Sequence, residues 1–261
     1  MQMQIETQGK GQPLVLVPGG LTGWLGWEPH VPRLSRNRTV ARVQLLNVQL
    51  GLESTPLPPG YSVKMESNAL ESTLSAAGLP RPFDMAAWSY GALVTLDFAL
   101  DHPEAVRTLT LIEPPAFWVL SDPDSEAKAQ MDKLRSLTGE ISEDGLEGFA
   151  HVASLAPPGT DVRALPQWPT WVRHRSSLRN SPAVIEHVDD RTRLRSFAQP
   201  VLLVKGTGST RFLHQIIDCL AVELPGSEVA EWPAGHAPHI VSMDAFLEKL
   251  EGFLSTPSTI R

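Results

Sequence analysis

Short apolar runs alternate along this chain with longer stretches whose apolar residues recur at helical spacing. The short runs are typical of buried strands and lie at residues 13–17, 39–46, 84–87, 107–112, 200–205 and 228–232. The longer stretches are typical of helices and lie at residues 62–77, 92–100, 211–223 and 243–254. This alternation predicts an α/β fold in which helices flank a mostly parallel sheet.

The pattern changes between residues 116 and 199, where helical stretches, prolines and tryptophans replace the buried runs. We interpret this part as a helical cap inserted into a core domain made of residues 1–115 and 200–261. Ligands of open α/β sheets bind outside the carboxyl ends of the strands. A cap at that edge is expected to wall a substrate pocket.

Composition narrows the function classes. The net charge is −7, and basic residues between 173 and 195 are interleaved with acidic ones, which argues against a nucleic-acid surface. The single cysteine, Cys219, excludes an internal disulfide and a cysteine metal cluster. No apolar run approaches the roughly 18 residues of a membrane span, and no signal pattern is present, so we expect a cytoplasmic protein. Nothing indicates an oligomeric state.

The segment Ala87-Trp88-Ser89-Tyr90-Gly91 lies between a predicted strand and a predicted helix. A serine in such a turn, with small residues two positions before and after it, is the pattern of a nucleophile elbow. The helix N-terminus favours the negative charge that develops during nucleophilic attack. The alternative is an ordinary strand-to-helix turn.

His236 is the predicted general base, because it follows Gly235 in a loop after the last short strand, downstream of Ser89. Nucleophile first and histidine last is the order expected for this architecture. His239, three residues later, is the weaker candidate, and whether it contacts substrate is left open by the sequence.

The acid is less obvious, because the loop at residues 206–211 contains no carboxylate. Glu113 stands at the end of the preceding strand, 24 residues after Ser89, which places both on adjacent strand ends. A carboxylate there can orient the imidazole and stabilise the imidazolium. The alternative for Glu113 is a local capping contact.

Pro18-Gly19-Gly20-Leu21 follows the first predicted strand. The N–H groups of Gly20 and Tyr90 are predicted to form an oxyanion hole, in which each donor is worth about 2.7–4 kcal/mol to the transition state. The chain lacks the glycine motifs that bind phosphates or dinucleotides. We expect no metal and no organic cofactor.

These segments resemble the α/β-hydrolase superfamily over nearly the whole chain. Two departures, Pro18-Gly19 before the oxyanion site and the acid-free loop, are similar to the branch that contains the fungal zearalenone lactonase. That branch takes its acid from a glutamate after the sixth strand of its sheet and carries Val-Pro-x-Gly-Leu and Pro-x-Trp-x-Arg motifs. The corresponding residues here are Glu113, 17–21 and 169–173. The resemblance implies that Trp171 packs on substrate.

The sequence therefore predicts a serine hydrolase that cleaves a carboxylic ester, including a lactone, through Ser89, His236 and Glu113. Leu21, Trp168 and Trp171 indicate a small apolar substrate. Three alternatives stay open: a carbon–carbon bond hydrolase, an acyltransferase, and a ligand-binding member of the fold without activity. A haloalkane dehalogenase would need aspartate at the position of Ser89.

Overall fold

A computed structural model of the chain describes residues 1–137 and 141–255, with only the backbone described at 180 and 181. Within these residues seven strands form one sheet in the order β1-β3-β2-β4-β5-β6-β7. The strands are β1 (Gln4–Gln8), β2 (Gln12–Val17), β3 (Arg38–Gln44), β4 (Phe83–Trp88), β5 (Val106–Ile112), β6 (Val201–Gly206) and β7 (Ser227–Trp232).

All neighbouring strands from β3 to β7 are parallel, which confirms the predicted architecture. β1 pairs antiparallel with β3 at the edge of the sheet and was not predicted. Its sequence, Gln-Ile-Glu-Thr-Gln, is mostly exposed and contains no apolar run. An edge strand of this kind leaves almost no hydrophobic signal in the sequence.

The α-helices are α1 (Val31–Leu34), α2 (Leu46–Leu52), α3 (Val63–Ala76), α4 (Tyr90–Asp101), α5 (Ser125–Ser136), α6 (Glu143–Val152), α7 (Trp168–His174), α8 (Ser181–Glu186), α9 (Arg191–Ser196), α10 (Arg211–Glu223), α11 (Pro238–Val241) and α12 (Met243–Leu254). Short 3-10 helices lie at Gly23–His30, Pro103–Ala105, Phe117–Val119, Val162–Ala164 and Arg175–Asn180. The four predicted helices correspond to α3, α4, α10 and α12. None of the described helices is both long enough and apolar enough to cross a lipid bilayer.

Successive residues of the central strands point into two different cores. Val15 of β2 joins the cluster that contains α3, α4 and α10, whereas Leu14 and Leu16 join the cluster that contains α1 and α12. This alternation follows from the two-residue period of a strand. Because helices cover both faces, the central strands are mostly apolar, as expected for a parallel sheet.

Residues 116–199, called the helical segment below, connect β5 to β6 through α5–α9, and their described part contains no strand. The segment has an apolar cluster of its own, which includes Leu146, Trp168 and Trp171. Leu21, four residues beyond the end of β2, belongs to that cluster. The helical segment therefore packs against the carboxyl edge of the sheet.

Candidate active site

Ser89 forms the turn between β4 and α4 in a strained conformation, with φ 54° and ψ −126°. Its N–H donates to the carbonyl of Ile112 at 2.8 Å, which holds the turn against β5. Gly91 has to be a glycine, because a Cβ there would lie 2.0 Å from the carbonyl oxygen of Pro18. The strain at Ser89 is of the kind that clusters at functional sites.

His236 meets Ser89 from the loop between β7 and α11. Its Nε2 lies 2.7 Å from the Oγ of Ser89. Two contacts fix the backbone of this histidine: Trp88 Nε1 donates to its carbonyl at 2.7 Å, and its N–H donates to the carbonyl of Ser154 at 2.9 Å. Ser154 belongs to the helical segment, so that segment helps to hold the imidazole.

Glu113 is fully buried directly after β5, the fifth strand of this chain, and its Oε2 lies 2.7 Å from His236 Nδ1. Its backbone is left-handed, with φ 45°. Gly206 N–H donates to Oε1 at 2.8 Å, and Ser209 Oγ donates to Oε2 at 2.8 Å. The end of β6 and the loop that follows it, which lacks a carboxylate, thus each supply one donor to the carboxylate that follows β5.

His239 lies apart from this chain of hydrogen bonds. It is fully buried, and its ring centroid is 4.8 Å from that of Trp88 and 4.9 Å from that of Trp27. Neither ring nitrogen has a hydrogen-bond partner among the described residues. Burial, together with repulsion from His30 and His236, lowers the pKa of His239 well below its ordinary 6.5. His239 is not among the described residues that line the pocket beside Ser89.

The two predicted oxyanion donors come from the segment after β2 and from the first residue of α4. Gly20 and Tyr90 both line the pocket that opens above the serine. The Gly20 N–H has no acceptor within the described parts of the chain. Gly19 lies against the indole of Trp88, where a Cβ would approach Cε3 to 2.9 Å. A side chain at that position would therefore displace the segment from the serine.

The pocket beside Ser89 has a mostly apolar lining. Leu21 and Trp171, two of the residues predicted to contact substrate, line it together with Phe149, Ile185 and Phe212. No aspartate, glutamate, lysine or arginine occurs among the lining residues of the described structure. The lining therefore suits an uncharged, apolar ligand.

For Trp168, the structure differs from the prediction that this residue contacts substrate. It is not among the described lining residues and is buried within the cluster of the helical segment. The guanidinium of Arg163 lies 5.6 Å from the centroid of its ring. Trp168 thus helps to pack the segment, while Trp171, on the next turn of α7, reaches the pocket.

Sequence reasoning missed the residues that hold the three side chains in place. Ser209 carried no signal because a hydroxyl in a polar loop is common. Ser154 acts through its carbonyl, which no side-chain pattern reveals, and its φ of 51° is visible only in the structure. The lack of a carboxylate in this loop was the available clue to Ser209, because such a loop can still supply hydrogen-bond donors to a carboxylate from elsewhere.

A group of potential metal ligands in the described structure consists of Asp97, His187 and Asp189, whose ligand atoms lie within 4.8 Å of one another. It already contains a cation, because Lys64 Nζ is 2.8 Å from Asp97 Oδ2. None of these residues lines the pocket beside Ser89. This group therefore provides no argument for a metal in the candidate active site.

Comparison with known proteins gives a family match over most of the chain. The model of the alpha/beta hydrolase family matches residues 14–249. The pimeloyl-[acyl-carrier protein] methyl ester esterase of Aeromonas hydrophila is 28% identical over 97% of this chain and 100% of its own length. The putative carbamate hydrolase RutD of Klebsiella pneumoniae is 27% identical over 94% of this chain and 92% of its own length.

Solved structures share the architecture. A hydrolase from Pseudomonas aeruginosa superposes with a TM-score of 0.79, covering 97% of this chain and 94% of its own, at 21% identity. At this identity the likeness concerns the fold alone.

Proposed function

Because the chain belongs to the alpha/beta hydrolase family, we propose that it is a serine hydrolase that cleaves carboxylic esters. The observation that carries the proposal is the continuous chain of hydrogen bonds from Ser89 through His236 to Glu113 beside an uncharged pocket. The two relatives named above align with this chain over most of both sequences. Both are hydrolases by name, and one of them is named as an ester hydrolase.

In the first half of the reaction, Ser89 Oγ attacks the ester carbonyl carbon while His236 Nε2 takes its proton. The N–H groups of Gly20 and Tyr90 stabilise the oxygen that becomes negative. The bond from carbon to the leaving oxygen then breaks, and His236 gives its proton to the departing alcohol. Glu113 holds the tautomer of His236 and stabilises the imidazolium.

In the second half, a water molecule takes the place of the alcohol. His236 removes a proton from the water as its oxygen attacks the acyl carbon. The bond between the acyl carbon and Ser89 Oγ breaks, the serine recovers the proton, and a carboxylic acid leaves. This scheme needs no metal and no organic cofactor.

The substrate class follows from the pocket. We propose an uncharged ester with apolar groups on both sides of the carbonyl, including a lactone, as the resemblance to the zearalenone lactonase branch implies. Trp171 and Leu21 line the same pocket and supply apolar surface for such a group. The helical segment acts as the cap that covers the substrate.

The test uses a fluorophosphonate probe with a panel of nitrophenyl esters and lactones of increasing apolar size. We expect the wild type to be labelled and active, and Ser89→Ala to be neither. Ser67→Ala, which changes a buried serine of α3, is the matched control and is expected to behave like the wild type. A wild type no more active or labelled than Ser89→Ala would refute the proposal.

A further inference from the structure

Helix α2 begins with a cap that comes from another helix. Leu45 precedes it and offers no side-chain acceptor for the first N–H groups. Glu66 of α3, which is fully buried, accepts from Leu46 N at 3.0 Å and from Asn47 N at 2.8 Å. A carboxylate here satisfies donors that a helix start otherwise leaves unpaired. Burial raises the pKa of Glu66 above its ordinary value, and the hydrogen bonds that it accepts from Tyr61 and from these two N–H groups offset only part of that rise.

Asn47, which this cap fixes in place, reaches the segment proposed to bind the oxyanion. Its Nδ2 donates to the carbonyl of Gly20 at 2.8 Å and to the carbonyl of Ser177 at 3.0 Å. Gly20 is itself a glycine and follows another one. A glycine backbone has more conformational freedom than the backbone of any other residue type. The contact with Asn47 removes that freedom and ties Gly20 to the helical segment, to which Ser177 belongs.

A second path runs from Glu66 to the residue after the serine. Tyr61 donates its hydroxyl proton to Glu66 Oε1. Because a hydroxyl has one proton, the contact of 2.8 Å between the hydroxyls of Tyr61 and Tyr90 has Tyr90 as its donor. The ring of Tyr90, the first residue of α4, is thereby anchored to the same carboxylate.

We infer that Glu66 and Asn47 are positioning residues for the oxyanion hole. Through the hydrogen bonds described above, they hold Gly20 and Tyr90 in place. This inference rests on the proposed function. Neither residue is among those that line the pocket in the described structure, so they act through Gly20 and Tyr90. Donors fixed before the reaction stabilise the transition state more than the bound substrate.

The main test compares Asn47→Asp with the wild type on an apolar nitrophenyl ester. The substitution keeps the size of the side chain but removes both donated hydrogen bonds. We expect kcat to fall about 10- to 100-fold, because complete loss of one oxyanion donor costs about 100- to 1,000-fold. KM is expected to stay within about twofold, since ground-state binding is little affected. Glu66→Gln should act in the same direction, and Ser67→Ala, on the same helix, is the control.

If Asn47→Asp lowers only the stability of the protein, kcat per folded molecule will be unchanged. That result would overturn the inference. A rise in KM at constant kcat would overturn it as well. Where Asn47→Asp does not fold, Tyr61→Phe decides instead, because it loses only one hydroxyl. We expect it to lower kcat about 3- to 10-fold without changing KM, and an unchanged kcat would count against the inference.

A measurement without substrate separates this inference from the proposed function. In ¹H–¹⁵N spectra, the amide signal of Gly20 is expected to move in Asn47→Asp and that of Tyr90 in Tyr61→Phe, whereas both are expected to stay in Ser67→Ala. If the wild type hydrolyses no ester, the proposed function fails, and these signals alone judge the positioning role. An unmoved Gly20 signal in Asn47→Asp would overturn the inference even in an active enzyme.

Discussion

The loop after β5 carries a carboxylate and the loop after β6 carries none, yet both contribute to the carboxylate contact that orients His236. Glu113 reaches His236 from the first loop, and Ser209 donates to the same oxygen from the second. The carboxyl ends of parallel neighbouring strands lie at one edge of the sheet, so either loop can reach this point. The location of the acid along the sequence is therefore less constrained than its location in space.

The two loops meet this geometry by different means. Glu113 adopts φ 45°, which costs a residue with a side chain of the order of 1–3 kcal/mol. Gly206 instead avoids a clash, because a Cβ there would lie 2.1 Å from the carbonyl oxygen of Gly235. The loop after β5 is strained so that it can present a side chain. The chain at Gly206, where β6 ends, is packed closely, and this packing lets Gly206 present its N–H group to Glu113.

Removing the charge from the loop after β5 is expected to have the largest effect. Glu113→Gln should lower kcat by about 10³- to 10⁴-fold, because the neutral amide neither fixes the tautomer of His236 nor stabilises the imidazolium. Steady-state kinetics measures the fall in kcat, and thermal unfolding checks that the variant is still folded. Glu126→Gln, an exposed position on α5, is the control. Activity within tenfold of the wild type would assign the acid role to another residue.

Moving the carboxylate to the loop after β6 tests whether the two loops are interchangeable. The double variant E113Q/S209D places an acid where Ser209 now donates to Glu113 Oε2 at 2.8 Å. We expect kcat to rise about 10- to 100-fold above that of Glu113→Gln alone, since the new carboxylate can reach His236. Ser209→Asp alone is expected to be less active than the wild type, because it sets two carboxylates side by side. No gain in the double variant would show that the loop after β6 can only support an acid.

Two buried histidines, His239 of α11 and His30, extend the comparison with a smaller effect that concerns stability. Burial lowers the pKa of His239 and of His30 in the folded protein, so below pH 6.5 the unfolded chain binds more protons than the folded one. The free energy of unfolding should therefore fall as the pH falls below about 6.5, by at most about 1.4 kcal/mol per pH unit for each histidine. Urea unfolding at pH 7.5, 6.5 and 5.5 measures this loss.

His239→Phe should make the free energy of unfolding less dependent on pH, because the phenyl ring fills a similar space beside Trp27 and takes up no proton. His151→Phe, which changes a half-buried histidine of α6, serves as its control. An equal pH dependence in both variants would show that His239 is not a source of the loss.

The central fold could be predicted from the sequence because its signals are local. The buried strands β2 and β4 are mostly apolar, and α4 and α12 show helical spacing. The elbow at Ser89 depends on small neighbours that stand beside it in the sequence. The placement of Glu113 followed from one topological rule, that adjacent parallel strands end at the same edge.

The remaining features depend on contacts between residues far apart in the sequence. Asn47 and Ser177 are 130 positions apart, and Ser154 acts on His236 through a backbone carbonyl. Glu66 lies in an amphipathic helix, where a glutamate is ordinarily a solvent-exposed residue. Trp168 and Trp171 looked alike in sequence, and the direction of α7 decides which of them reaches the pocket.

The uncharged lining of the pocket has a consequence for the end of the proposed catalytic cycle. Ester hydrolysis yields a carboxylic acid, whose pKa near 4 makes it an anion at neutral pH. No lysine or arginine stands among the described lining residues to pair with that anion, and burial of an unpaired charge is costly. Ionisation of the acid thus favours its departure into water. Product inhibition by the acid is therefore expected to be weak.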